Sequence, residues 1–128
     1  MTNDEIHRET FQANEFIFFE GDIDYHFYII ESGSVQIFTK TKTGDRIDIA
    51  KVEEGESFGE FALLERQPRS ASAQALTECS VIKVSEKGYE QLLSDLPIWA
   101  SSMLKSFARR MKQTNQLIQN APQFPKKL

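Results

Sequence analysis

At 128 residues, 40% of them hydrophobic and ten of them Phe, the chain has material for one domain around a bulky core. Nineteen acidic residues against fifteen basic ones give a net charge of −4, which argues against nucleic-acid binding by this segment but not against one locally placed arginine. A lone Cys79 cannot close an intrachain disulfide, no apolar run approaches the roughly 20 residues of a membrane helix, and "MTNDEIHRET" has no secretory-leader pattern. The expectation is therefore a cytoplasmic chain with no membrane partner.

In chain order, "EFIFFEG", "HFYIIESG", "SVQIFTKTKTGDRIDIAKVEEG" and "SASAQALTECSVIKVS" carry period-two or short apolar patterns rich in β-branched and aromatic residues. The turn "KTGD" separates two alternating runs between Val35 and Val52 and predicts a hairpin. Gly21, Gly33, Gly55 and Gly59 fall at the ends of such runs, where turns or bulges are expected. Many short strands at this spacing predict a mainly β domain, a barrel, sandwich or jelly-roll over about residues 11–85, followed by C-terminal helices.

The period then changes. Ser85 caps an expected short helix over residues 86–94, and "SDLP" restarts helix over about 97–121, with Ser94 or Asp95 near the cap and Pro97 in the first turn. Ala100, Leu104, Phe107, Met111, Thr114, Ile118 and Ala121 recur at alternating four and three spacings, a heptad seam widened by Met103 and Leu117. Either this helix lies across its own β domain, or it pairs with its copy in a homodimer. Pro122 and Pro125 end it, leaving 122–128 as a tail.

The stretch "FGEFALLERQPRSASA", residues 58–73, carries the chemistry. Taken singly, Glu60 and Arg69 would make a surface ion pair worth at most about 1 kcal/mol. Their neighbours argue for more. Gly59 permits close backbone approach, and "EFALL" is long enough for one helical turn whose first amides favour an anion. Arg69, after Pro68, offers a planar fork for two phosphate oxygens. Ser70, Ala71, Ser72 and Ala73 keep the following strand thin. Together these ask for a ligand with an anion, a neighbouring hydroxyl and a flat group against an apolar wall.

"FGEFALLERQPRSASAQA" resembles the phosphate-binding cassette of cyclic-nucleotide-binding domains, and "GDIDYHFYIIESG" is similar to the strand pair that opens that family's β-roll. Two positions depart from the pattern: Asp24 stands where a small residue is usual, and Phe18 is bulkier than usual. "TECSVIKVSEKGYEQLLSDLP" and "FARRMKQTNQ" extend the likeness to the sensory domain of bacterial catabolite-activator proteins, so that it covers about residues 11–120. That resemblance implies that Glu60 accepts a hydrogen bond from the ribose 2′-hydroxyl beside Gly59. It implies that Arg69 binds the phosphate with Ser70 and the amides near Phe61 and Ala62. It places Ile37 and Ile49 at the base-contacting strands, where ordinary core is the other reading. It also implies a base contact from Thr114 and Asn115 on a dimerising helix, Asn115 departing from the serine of that branch.

Cyclic AMP is the implied ligand, with cGMP as the alternative because a hydroxyl after the arginine, here Ser70, can meet guanine. The activator-like branch continues into a DNA-binding domain, so an output domain, linked or separate, is a further implied partner. The residues favour no catalysis, cofactor or metal. His7 and His26 lack companion ligands, P-loop and activated-serine motifs are missing, and Cys79 sits in an apolar run as inert core. The rival readings are a ligand-free β-roll used for protein interaction and a cupin-type metal oxygenase.

Overall fold

The structure is a computed structural model that describes the backbone of residues 5–120 and side chains through residue 114. It divides into two compact units, residues 1–92 and 93–128. The first unit contains β1 (Ile6–Phe11), β2 (Phe16–Phe18), β3 (Phe27–Ser32), β4 (Val35–Lys40), β5 (Arg46–Val52), β6 (Ser57–Phe58), α1 (Glu60–Glu65), β7 (Ser72–Ala75) and β8 (Cys79–Val84). Helix α2 (Glu86–Ser94) begins in this unit, and α3 (Ile98–Asn120) belongs to the second.

The strands form two four-stranded antiparallel sheets, ordered β1-β8-β3-β6 and β2-β7-β4-β5, which is the mainly β roll expected. The core lies between their inner faces. Alternation selects its members: Tyr28 and Ile30 from β3, Val35 from β4, Ala73 and Ala75 from β7, Cys79 and Val81 from β8, closed by Phe18, Val52 and Phe58. Tyr28 and Phe58 stack with ring centroids 5.0 Å apart. Cys79 is buried, its Sγ 3.2 Å from the Ser34 carbonyl, and burial raises its thiol above the ordinary pKa. Gly33 links β3 to β4 at φ +93°, where a Cβ would stand 2.9 Å from the Cys79 backbone.

The β4–β5 hairpin forms around residues 41–45, with the Thr41 amide donating to the Asp45 carbonyl at 2.9 Å. Its register slips once. Ile37 opposes Ala50 but Phe38 opposes Asp48, so Ile49 is an extra, bulged residue. Strand β1 is an addition to the roll expected from residue 11. It runs antiparallel to β8 from Ile6↔Val84 to Phe11↔Cys79. Its central Arg8-Glu9-Thr10 is polar because β1 is an edge strand, stabilised by ladder bonds to a strand some seventy residues away.

Ser85 caps α2 as expected, its Oγ accepting from the Gly88 amide at 3.0 Å and donating to the Glu5 carboxylate. Tyr89 of α2 meets Phe27 edge to face at 5.9 Å. Helix α3 starts later than the expected cap: Ser94 ends α2, and the Pro97 carbonyl accepts from the Ala100 and Ser101 amides. Along α3, Ile98, Trp99, Met103, Leu104, Phe107 and Met111 are exposed in the single chain. The expected seam residue Ile118 has its side chain outside the described residues, as do Ala121 and the tail. No described helix is long and apolar enough to cross a membrane.

Candidate functional site

Strand β6 runs into α1 through Gly59, which sits at φ +83° in the N-cap position with no side-chain cap, so the first amides of α1 face outward without one. Arg66 closes α1 in the left-handed region at φ 52°. The chain then reaches Arg69, whose backbone is clamped by the 21–22 turn: its amide donates to the Asp22 carbonyl, and its carbonyl accepts from the Gly21 amide, both at 2.8 Å.

That clamp sends the Arg69 side chain inward, and the residue is only 3% exposed. Its Nη1 donates to the Gly59 carbonyl at 2.8 Å and its Nη2 to the His26 carbonyl at 2.7 Å. The guanidinium lies 4.0 Å over the Phe18 ring and 3.2 Å from the Asp24 carboxylate. Nε is buried without a partner. Asp24 is in turn held by His26, through the amide at 3.1 Å and the ring Nδ1 at 2.6 Å. Partial burial pushes the Asp24 carboxyl up, but the His26 hydrogen bonds and the Arg69 charge outweigh it and hold the group below its ordinary pKa. Gly59 is required twice, because a Cβ there would stand 2.9 Å from Arg69 Nη1 in addition to its positive φ.

A cavity of about 290 Å³ opens at this corner. Gly59, Glu60, Phe61, Ala62, Arg69 and Ser70 line one side, and Phe18, Ile37, Ala50, Val52 and Phe58 line the apolar side. Glu60 Oε2 is buried without a partner. One wall thus carries an acid and an arginine, each with a polar atom unsatisfied, and the other offers flat apolar surface. This is the geometry of a small ligand with an anion and hydroxyls. A wider groove of about 590 Å³ lies between Phe16, Phe38 and Arg46 on the outer face of the second sheet. Its arginine already bonds Asp48 and Gln74, and it lacks such convergent unsatisfied groups.

Seven of the expected site residues, Ile37, Gly59, Glu60, Phe61, Ala62, Arg69 and Ser70, therefore come together. Ile49 does not line the cavity. The β5 bulge turns it out to 57% exposure, and Ala50 and Val52 supply the wall instead. Thr114 is exposed on α3 in the second unit, and the Asn115 side chain lies outside the described residues. Sequence reasoning missed Ala50 and Val52, which carry only a generic strand signal. It marked Asp24 as unusual without finding its partner. Among the described residues no group of three or more His, Cys, Asp or Glu could hold a metal.

A roll of two antiparallel sheets with a phosphate-type cassette defines a class of ligand-sensing domains, and the sequence model of the cyclic nucleotide-binding domain matches residues 8–95. The chain belongs to that family. It is 31% identical over 108 residues to the cyclic AMP receptor protein of Thermus thermophilus, covering 84% of this chain and 50% of that one. It is 40% identical over 83 residues to the cAMP-dependent protein kinase regulatory subunit of Emericella nidulans, covering 65% of this chain and 19% of the relative. A solved EAL enzyme in a half-site-occupied form superposes with a TM-score of 0.77 at 29% identity, covering 85% of this chain and 97% of that one. The chain thus spans half or less of the two curated relatives.

Proposed function

We propose that this domain binds cAMP in preference to cGMP and passes its occupancy to α3 as a regulatory sensor that catalyses nothing. The observation that carries the binding is the 3%-exposed Arg69, its Nε unpaired, lining one cavity with the unpaired Oε2 of Glu60. Arg69 and Ser70 take the exocyclic phosphate oxygens together with the amides of Phe61 and Ala62. Glu60 accepts the ribose 2′-hydroxyl, and Ile37, Ala50 and Val52 support the base. A cyclic nucleotide satisfies both orphaned groups at once, which a ligand-free interaction module would leave unsatisfied.

Adenine is favoured on two grounds. Both curated relatives are named for cAMP, and Thr114 offers a hydroxyl from α3 of the same or a paired chain. Ser70 supports cGMP as the second reading. The exposed Leu104, Phe107 and Met111 of α3 support homodimer formation through that helix. Signalling then follows from a higher ligand affinity for one α3 arrangement, with a coupling of about 1–3 kcal/mol, onto a linked or separate output domain in the cytoplasm.

Calorimetry with cAMP, cGMP and cyclic dinucleotides tests the binding. The expected result is a single site tightest for cAMP; no heat with any mononucleotide removes the proposal. Sedimentation with and without cAMP tests the coupling, which equal dimer affinity in both states would defeat.

A further inference from the structure

The Arg69 guanidinium shares its corner with a carboxylate that is not part of the cavity wall. Its Nη2 lies 3.2 Å from Asp24 Oδ2, while the two Nη groups also serve the Gly59 and His26 carbonyls. Only Nε is without a partner. Asp24 is not a loosely placed counter-ion: the His26 amide and Nδ1 both fix its other oxygen, and about three-quarters of its side chain is covered. A charge so held is poorly screened by solvent.

Among the described residues, Arg69 and Glu60 are the only charged ones that line the cavity, and their formal charges cancel. With His26 counted as neutral, adding Asp24 makes two carboxylates against one guanidinium, a formal charge of −1 at the phosphate corner. The remaining titratable groups against Asp24 are His26, which bonds it, and the neutral phenol of Tyr28. We infer that Asp24 is a specificity-determining residue that makes this corner accept singly charged cyclic phosphodiesters and reject doubly charged phosphomonoesters. This rests on the cyclic-nucleotide reading of the site. A cAMP phosphate carries one charge at any pH near neutrality, whereas 5′-AMP carries nearly two above its second ionisation near pH 6. Repulsion from Asp24 scales with ligand charge, so it penalises AMP twice as heavily in free energy.

The test is competition of cAMP and 5′-AMP against a fluorescent cAMP analogue, on the wild-type chain and on Asp24→Asn. Asn keeps the size and an acceptor for His26. Removing the charge is expected to tighten cAMP roughly tenfold and AMP roughly a hundredfold, narrowing the selectivity for the cyclic ligand about tenfold. Asp24→Ser, which retains a short hydroxyl acceptor, gives the same order should the Asn variant misfold. A wild type that binds cAMP, with an AMP-to-cAMP ratio unmoved by either substitution, overturns this inference and leaves the binding reading intact. No nucleotide binding by any of the three proteins overturns both.

Discussion

Arg69→Gln is the perturbation that separates the structural role of this residue from the phosphate-binding role proposed for it. In the structure the guanidinium donates to two carbonyls, at 2.8 and 2.7 Å, balances Asp24 and covers Phe18 while 3% exposed. A hydrogen bond from a charged donor is worth about 1.5–3 kcal/mol, and a glutamine amide can replace one of the two. Losing the other, and leaving Asp24 with His26 alone, should cost about 2–4 kcal/mol of stability. Loss of the proposed charge-assisted phosphate contact should weaken cAMP binding by about tenfold to more than a hundredfold, since 1.4 kcal/mol is a factor of ten. Urea unfolding reads the first quantity and calorimetry on the folded variant reads the second. An unchanged Kd in a folded variant would refute the role in phosphate binding. A stability change below about 0.5 kcal/mol would refute the buried geometry.

Three further outcomes follow from the same corner. Glu60→Gln should remove most of the preference for cAMP over 2′-deoxy-cAMP, a preference of about tenfold in the wild type if the carboxylate meets the ribose hydroxyl; equal wild-type affinities for the two ligands would exclude that contact. Gly59→Ala forces a side chain to φ +83° and places a Cβ 2.9 Å from Arg69 Nη1, so thermal unfolding should show a loss of about 1–3 kcal/mol; a neutral variant would contradict it. Because the folded-state pKa of Asp24 is depressed, its contribution to stability is fully present above the unfolded value near 3.9 and is lost as pH falls through the lower folded value. Acid unfolding followed by near-ultraviolet circular dichroism should therefore show a flatter loss below pH 4 for Asp24→Asn than for the wild type, and parallel curves would count against the pairing.

Much of the site could be read from the chain because its polar half is continuous. Gly59, Glu60, Phe61, Ala62, Arg69 and Ser70 fall within twelve positions, and Gly59, the one-turn helix and Pro68 act locally on their own neighbours. The β4–β5 hairpin was legible for the same reason, since alternation and a glycine turn operate over a few residues. The apolar half was less legible. Ile37 lines the cavity, but on β5 the bulge exchanges Ile49 for Ala50, and a one-residue slip reverses which side chains face inward. Strand β1 escaped notice because Arg8, Glu9 and Thr10 break the apolar pattern, while the β8 ladder that stabilises them is far along the chain.

Sequence alone pointed to a mainly β domain and, through its likeness to a known cassette, to the acid and arginine that line the cavity, because period-two burial, glycine conformation and a short helix are local properties. Tertiary structure alone decided that Asp24, forty-five positions before Arg69, should be its counter-charge, and that Ala50 rather than Ile49 should wall the cavity. Both outcomes depend on how distant strands and turns are brought into register, which is set by the summed packing of the core and by no single segment.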